Sequence, residues 1–280
     1  MIKNMSLDQL IESELAYFAP MSSRAAKSSE EERGAWRAET IRQRQERISL
    51  EVYEIAQGKV LYGPFAGMKL NDKRWWGTLD LGAQCLGQYE KEVLAQISDA
   101  SLRRDKSCFI DIGAADGYYT SGALFSGLFD HAVAFEVAPE GQAAIEGNWR
   151  ENGAPGHLQV FGEATAESLL ALPKSLLNGA FVLVDVEGAE FDMLCPEVLS
   201  GLDRATIIVE VHNWIAGFEE KYEEFLKDAF ALFNIEPIAP EARSTHTYPE
   251  LRDFTDDNRL LLLSERRPCQ MRFLKLSPRT

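Results

Sequence analysis

The sequence predicts an α/β fold: a central, mostly parallel sheet with helices on both faces. Three observations carry this. Residues 108–120, CFIDIGAADGYYT, read as a buried strand, a tight turn and the first turn of a helix. Downstream, strand-like and helix-like patterns alternate, which favours parallel crossovers. The strand-like runs FVLV (181–184) and TIIVEV (206–211) are almost continuously apolar, as in strands covered on both sides.

In chain order, Ser6 and Gln9 form a capping box that opens a helix with Leu7, Leu10, Ile11, Leu15 and Phe18 on one face, ended by Pro20. Residues 21–29 form a polar linker. Glu30 to about Gln57 reads as one long, charged surface helix with Ile41, Ile48, Val52 and Ile55 aligned. Residues 1–57 thus form a helical extension, acting as a cap, a lid or a homodimer contact, and residues 58–280 form the main domain. Gly58 to Asp80 reads as short strands and turns, with Trp75 and Trp76 facing opposite sides of a strand. Leu86–Ile97 is a helix leading to the first strand. Ala132–Glu136, Leu158–Phe161, Phe181–Val184 and Thr206–Val211 are the next four strands. Helices are expected over Pro139–Asn152 and Glu219–Phe233. Ile235–Ile238 and Arg259–Leu263 supply the last two strands, and Met271–Leu276 adds a short edge strand. The loop Pro240–Asp257 between them would form a second wall of an acceptor site.

The chain has 280 residues, 45% of them hydrophobic, and a net charge of −15. That charge argues against nucleic-acid or anionic-membrane partners. No run approaches the roughly 18 apolar residues of a membrane span, and the acidic N-terminus is unlike a signal peptide. Cys85, Cys108, Cys195 and Cys269 lack metal-ligand spacing and read as free thiols in a reducing cytoplasm.

Chemistry gathers at the expected carboxyl ends of strands, where open α/β sheets bind ligands. Asp111 ends the first strand. The small residues Gly113, Ala114, Ala115 and Gly117 let the backbone turn sharply and a ligand come close. Of the G-x-G-x-x-G positions of a dinucleotide fingerprint only Gly113 holds; Ala115 and Tyr118 stand at the others. Asp116 in the turn would repel a pyrophosphate, so an acidic turn suits a cationic ligand such as S-adenosylmethionine (SAM). Glu136, 25 residues after Asp111, is placed to accept hydrogen bonds from ribose hydroxyls, and Glu163 to accept from an adenine amino group. Asp185, Glu187 and Glu190 follow the fourth strand in DVEGAE. Glu187 and Glu190 equally suit the first turn of a helix, and Asp185 with Glu187 suits a divalent cation. His212 ends the fifth strand. It is the one histidine at a carboxyl strand end, and reads either as a general base or as a residue bonded to Glu210 or Asp185. Trp214 would cover the pocket.

DIGAADG resembles the first motif of class I SAM-dependent methyltransferases. LVDVEGAEFDML and IIVEVH resemble the signatures of the FkbM family within that class. The resemblance spans roughly residues 58–265, with the blocks in the family's order. It implies a Rossmann-like, seven-stranded sheet with its last strand antiparallel, SAM as cofactor, and Tyr89 and Glu90 (a G-x-Y-E element) near its methionine end. The cofactor set is then Tyr89, Glu90, Asp111, Gly113, Ala114, Ala115, Gly117, Glu136, Val137, Glu163 and Asp185. His212, Asp185 and Glu187 form the catalytic set, without a metal. The expected activity is O-methylation of a small-molecule or glycan hydroxyl. Two rival readings are a nicotinamide-dependent oxidoreductase and a non-catalytic partner-binding module.

Overall fold

The computed structural model describes residues 6–18, 29–71, 74–101 and 108–279. Pro20 and most of the polar linker lie outside them. Helix α1 (Leu7–Phe18) opens on the expected Ser6–Gln9 box, with Gln9 N–H donating to Ser6 Oγ at 3.2 Å. Its apolar stripe, Leu7, Leu10, Ile11 and Leu15, is exposed.

The long charged helix is two helices, α2 (Glu30–Ala38) and α3 (Ile41–Ile55). The break is chemical. Thr40 and Gln43 form a second capping box, so the chain restarts where a single helix was expected. Nor is α3 a surface helix: Ile48 and Val52 are fully buried in the same core cluster as Phe109 and Phe181, although Ile41 and Ile55 are exposed. Residues 58–71 form turns joined by one antiparallel bridge between Lys59 and Lys69 rather than strands. Next come α4 (Leu81–Cys85) and α5 (Lys91–Ser101). The expected helix over Leu86–Ile97 is therefore interrupted, and Tyr89 and Glu90 lie on the turn between α4 and α5.

The main sheet begins with β1 (Cys108–Ile112), followed by α6 (Tyr118–Phe125), β2 (His131–Phe135), α7 (Pro139–Glu151) and β3 (His157–Phe161). Then come α8 (Ala166–Leu170), α9 (Lys174–Leu177), β4 (Phe181–Val184), α10 (Glu190–Met193), α11 (Pro196–Gly201) and β5 (Thr206–Val211). The chain ends with α12 (Phe218–Leu232), β6 (Phe233–Ile238), α13 (Asp256–Leu262) and β7 (Arg272–Pro278). The expected strand Arg259–Leu263 is therefore helical up to Leu262, in a helix started by Thr255 and two aspartates, which favour a helix N-terminus. The Met271–Leu276 segment belongs to β7, which is interior rather than an edge.

The sheet order is β3-β2-β1-β4-β5-β7-β6. Strands β1 to β5 pair in parallel, and β7 runs antiparallel to both its neighbours. The order and the antiparallel β7 match the Rossmann-like, seven-stranded sheet that the sequence resemblance implies. Side chains of the central strands alternate between two cores. Phe109, Phe181 and Ile208 face the cluster that holds α3, α5 and α6. Ile110, Val182 and Val209 face the cluster under α11 and α12. Phe109 stacks on Phe181 at 5.8 Å and 15°. Burying each such ring is worth roughly 2–3 kcal/mol. Order reverses between β1 and β4, and that switch point places the site.

Candidate active site

A cleft of about 710 Å³ opens over the carboxyl ends of β1, β2 and β4, closed on one side by residues 74–76 and on another by residues 265–271. Its floor is the β1–α6 turn. Gly113 has φ +90°, and a Cβ there would lie 1.7 Å from the Asp185 carbonyl oxygen, so β1 and β4 close on each other only with glycine at this point. Ala114 and Ala115 line the cleft. Asp111 and Gly117, two of the expected cofactor residues, do not. Asp111 is buried and accepts from Thr120 Oγ1 at 2.5 Å, which ties β1 to α6. Burial pushes its carboxyl up to about 7.

Glu136 lines the cleft at the end of β2. Its two carboxylate oxygens accept from Ala115 N–H at 2.9 Å and Ala138 N–H at 2.8 Å, so it also fixes the turn. A Cβ on Gly141 would lie 2.6 Å from Glu136 Cγ, so α7 leaves this carboxylate its place through a glycine. Val137 and Glu163 lie exposed on the lip of the cleft.

Asp116 does not present a free charge to a ligand. It is 1% exposed and pairs with Arg74 at 3.1 Å. It also accepts from the Trp75 and Trp76 backbone N–H groups at 2.8 and 3.2 Å. The acid pins the strap that carries both indoles. The two rings lie 5.4 Å apart at 37°, and both line the cleft rather than opposite faces of a strand.

At the far end stand the acids and the histidine. Glu190, fully buried at the start of α10, accepts from Gly188 N–H at 3.0 Å and faces His212 Nδ1 at 2.5 Å. His212 Nε2 lies 3.7 Å from Asp185 Oδ1, 3.6 Å from Glu187 Oε2 and 3.6 Å from Glu210 Oε2. Burial pulls the imidazole down, but its hydrogen bond to Glu190 and the charges of Glu190, Asp185 and Glu187 outweigh that, and its pKa is raised. Burial, with the like charges of Glu187 and Glu190, pushes Asp185 up to about 6 despite His212. The catalytic set Asp185, Glu187 and His212 is thus brought together. By sequence alone its buried anchor Glu190 suits the first turn of a helix, and Glu210 a partner for His212.

Glu90 reaches this end because its own backbone sits at φ +42°. It accepts from Tyr119 Oη at 2.7 Å, and burial beside Asp185 pushes it up to about 8. Tyr89 lines the same wall. Arg267 sits over this acid group, bonded to Glu210 and to Glu265 at 2.9 Å, and lies 3.6 Å from Glu90. Nothing local in the sequence marks Arg267, and the wall expected at residues 240–257 lies elsewhere. No residue of that loop lines the cleft, whereas residues 265–268 and Met271 do. Asp185, Glu190 and His212 form one group of oxygen and nitrogen donors, and Glu90, Asp185 and Glu210 another.

Two polar atoms of the cleft wall, Tyr118 Oη and Asp185 Oδ1, are buried without a hydrogen-bond partner. That state suits a wall completed by a polar ligand. Nine carboxylates and three guanidiniums line the cleft, and each guanidinium is already paired: Arg74 with Asp116, Arg266 with Asp80 at 2.5 Å, and Arg267 as above.

No protein-family model and no curated protein matches the chain. Solved structures of similar architecture include the precorrin-6y C5,15-methyltransferase of Geobacter metallireducens GS-15, at 16% identity and TM-score 0.43 over 66% of this chain and 87% of that one. TYW2 of M. jannaschii, solved in complex with AdoMet, is 12% identical at TM-score 0.39 over 68% of this chain and 78% of that one. An rRNA methylase from Streptococcus thermophilus is 11% identical at TM-score 0.44 over 68% and 97%. The fold assignment rests on the strand order, independently of these likenesses.

Proposed function

We propose that this protein is a SAM-dependent methyltransferase acting on a hydroxyl group of a small molecule or glycan. The observation that carries the reading is the His212 imidazole, held through Nδ1 by a buried glutamate, with Nε2 among carboxylates at the carboxyl ends of β4 and β5.

The residues fit the cofactor. The Gly113–Ala115 backbone, Glu136, Val137 and Glu163 line the cleft where a nucleoside would lie, and Tyr89, Glu90 and Asp185 line it where the methionine part would lie. The cofactor supplies an electrophilic methyl on a sulfonium. The protein's own part is positioning and proton transfer. Glu190 keeps the proton on Nδ1, leaving Nε2 as the acceptor. Nε2 takes the proton of the acceptor hydroxyl as that oxygen gains the methyl group. Asp185, Glu187 and Glu210 then stabilise the imidazolium. Trp75, Trp76 and Trp214 line the cleft, where they exclude water and stack on the acceptor.

The nicotinamide reading is disfavoured by the arginines that line the cleft, each already paired with a carboxylate, so that among the described residues no arginine or lysine of the lining is left for a pyrophosphate. The test is incubation with methyl-labelled SAM and a panel of hydroxylated small molecules, with the methylated atom located by NMR. Label on an acceptor oxygen, lost in His212→Gln, supports the reading. Label on nitrogen or carbon, or hydride transfer from a reduced nicotinamide, contradicts it.

A further inference from the structure

We infer that the acceptor carries an ammonium group as well as its reactive hydroxyl, and that Glu187, with the Trp214 indole, holds that charge. This rests on the methyl-transfer reading and names the substrate class of the same cleft. All three arginines lining the cleft are committed to carboxylates, and among the described residues no lysine lines it. No unpaired arginine or lysine of the lining is left for an acceptor bearing phosphate or carboxylate.

The negative side is not balanced in the same way. Glu187 is 57% exposed at the mouth of the cleft and has no arginine or lysine partner among the described residues. Its backbone, at φ +54°, is held in a conformation side chains rarely adopt, directly after β4. Its carboxylate lies 3.6 Å from His212 Nε2, and the Trp214 ring meets the same imidazole edge-on at 4.6 Å. The proposed base is therefore flanked by an exposed carboxylate and a half-exposed indole. A carboxylate beside an aromatic ring is the pairing that recognises an ammonium ion. Of the four carboxylates around His212, Glu187 is the one exposed to an incoming cation, at 57% against 29% for Asp185 and 6% or less for Glu190 and Glu210.

The test uses three phenols that share a p-ethyl stem and end it in an ammonium, a hydrogen or a carboxylate: tyramine, p-ethylphenol and p-hydroxyphenylpropionate. Their binding to the full chain is measured with and without S-adenosylhomocysteine, for wild type and Glu187→Gln. Tyramine is expected to bind wild type about tenfold or more tighter than p-ethylphenol, with the carboxylate weakest, and the preference to shrink with salt. Glu187→Gln is expected to erase the preference for tyramine. Equal binding of the three, tightest binding of the carboxylate, or an unchanged preference in Glu187→Gln would overturn the inference. Calorimetry with S-adenosylhomocysteine on the same samples separates the two readings. Its failure to bind would remove the methyl-transfer reading, while the charge order measured without it still decides this one.

Discussion

Glu190 and His212 lie 22 positions apart and meet at 2.5 Å, a buried carboxylate against Nδ1 of a buried imidazole. This contact sets the tautomer, and with it which nitrogen faces the cleft. Replacing His212 by Gln removes the proton acceptor while keeping its size and polarity. Turnover is expected to fall about a hundredfold or more, with S-adenosylhomocysteine affinity within a few-fold of wild type. Steady-state rates and calorimetry on one preparation check both halves.

The pH dependence follows from the same contact. The reactive form is the one with Nε2 unprotonated, so the rate rises with pH through a midpoint above the ordinary histidine value, since the pKa is raised. Glu190→Gln deletes the chief raising influence and leaves burial, which pulls the imidazole down, opposed by the charges of Asp185 and Glu187. Its pH–rate midpoint is expected to move to lower pH, with a maximal rate about tenfold to a hundredfold lower. An unmoved midpoint would show that another group titrates.

Asp111 makes a stability prediction of defined sign. Burial raises its folded-state pKa to about 7, so the folded chain holds this proton more tightly than the unfolded one. Stability from this group is fully present below about pH 4 and is lost as pH rises toward 7. Asp111→Asn keeps an acceptor for Thr120 and removes the titration. The variant's stability is expected to decline less between pH 4 and 7, by as much as ~4 kcal/mol. Urea melts at several pH values measure it.

The Arg74–Asp116 pair is buried on both sides, at 6% and 1% side-chain exposure. Arg74→Ala leaves an uncompensated buried carboxylate and is expected to cost ~3–5 kcal/mol. Adding Asp116→Asn is expected to restore part of it, because an amide oxygen still accepts the Trp75 N–H. Thermal melts of the single and double variants give the comparison.

The acid groups near His212 would also suit a divalent cation. Arg267 already supplies positive charge to Glu210 and Glu90, and His212 itself lies between Glu190 and Asp185. Turnover is therefore expected to survive prolonged EDTA treatment. Loss of activity that returns with added magnesium or manganese would assign the group to a metal.

The strands were legible because central strands covered on both faces leave apolar runs of the right length, as in β4 and β5. Glu136, Asp185 and His212 could be placed because each ends such a strand. The second capping box at Thr40 was readable but hidden by the charge pattern around it. The short run at residues 259–263 fits strand or helix alike, and Thr255 with its aspartates decided for helix. Arg267 had no local signature. Its place depends on β7 inserting antiparallel beside β5, with Val211 opposite Arg272, which carries the preceding loop over the end of β5. The Glu190–His212 contact likewise exists only once β4 and β5 are neighbours.

The most direct test of the account is calorimetric titration of the full chain with S-adenosylhomocysteine, with NAD as control. One site with a roughly micromolar Kd and no heat from NAD is the predicted result. Binding of NAD in its place, or no binding of either to a chain shown to be folded, would contradict it.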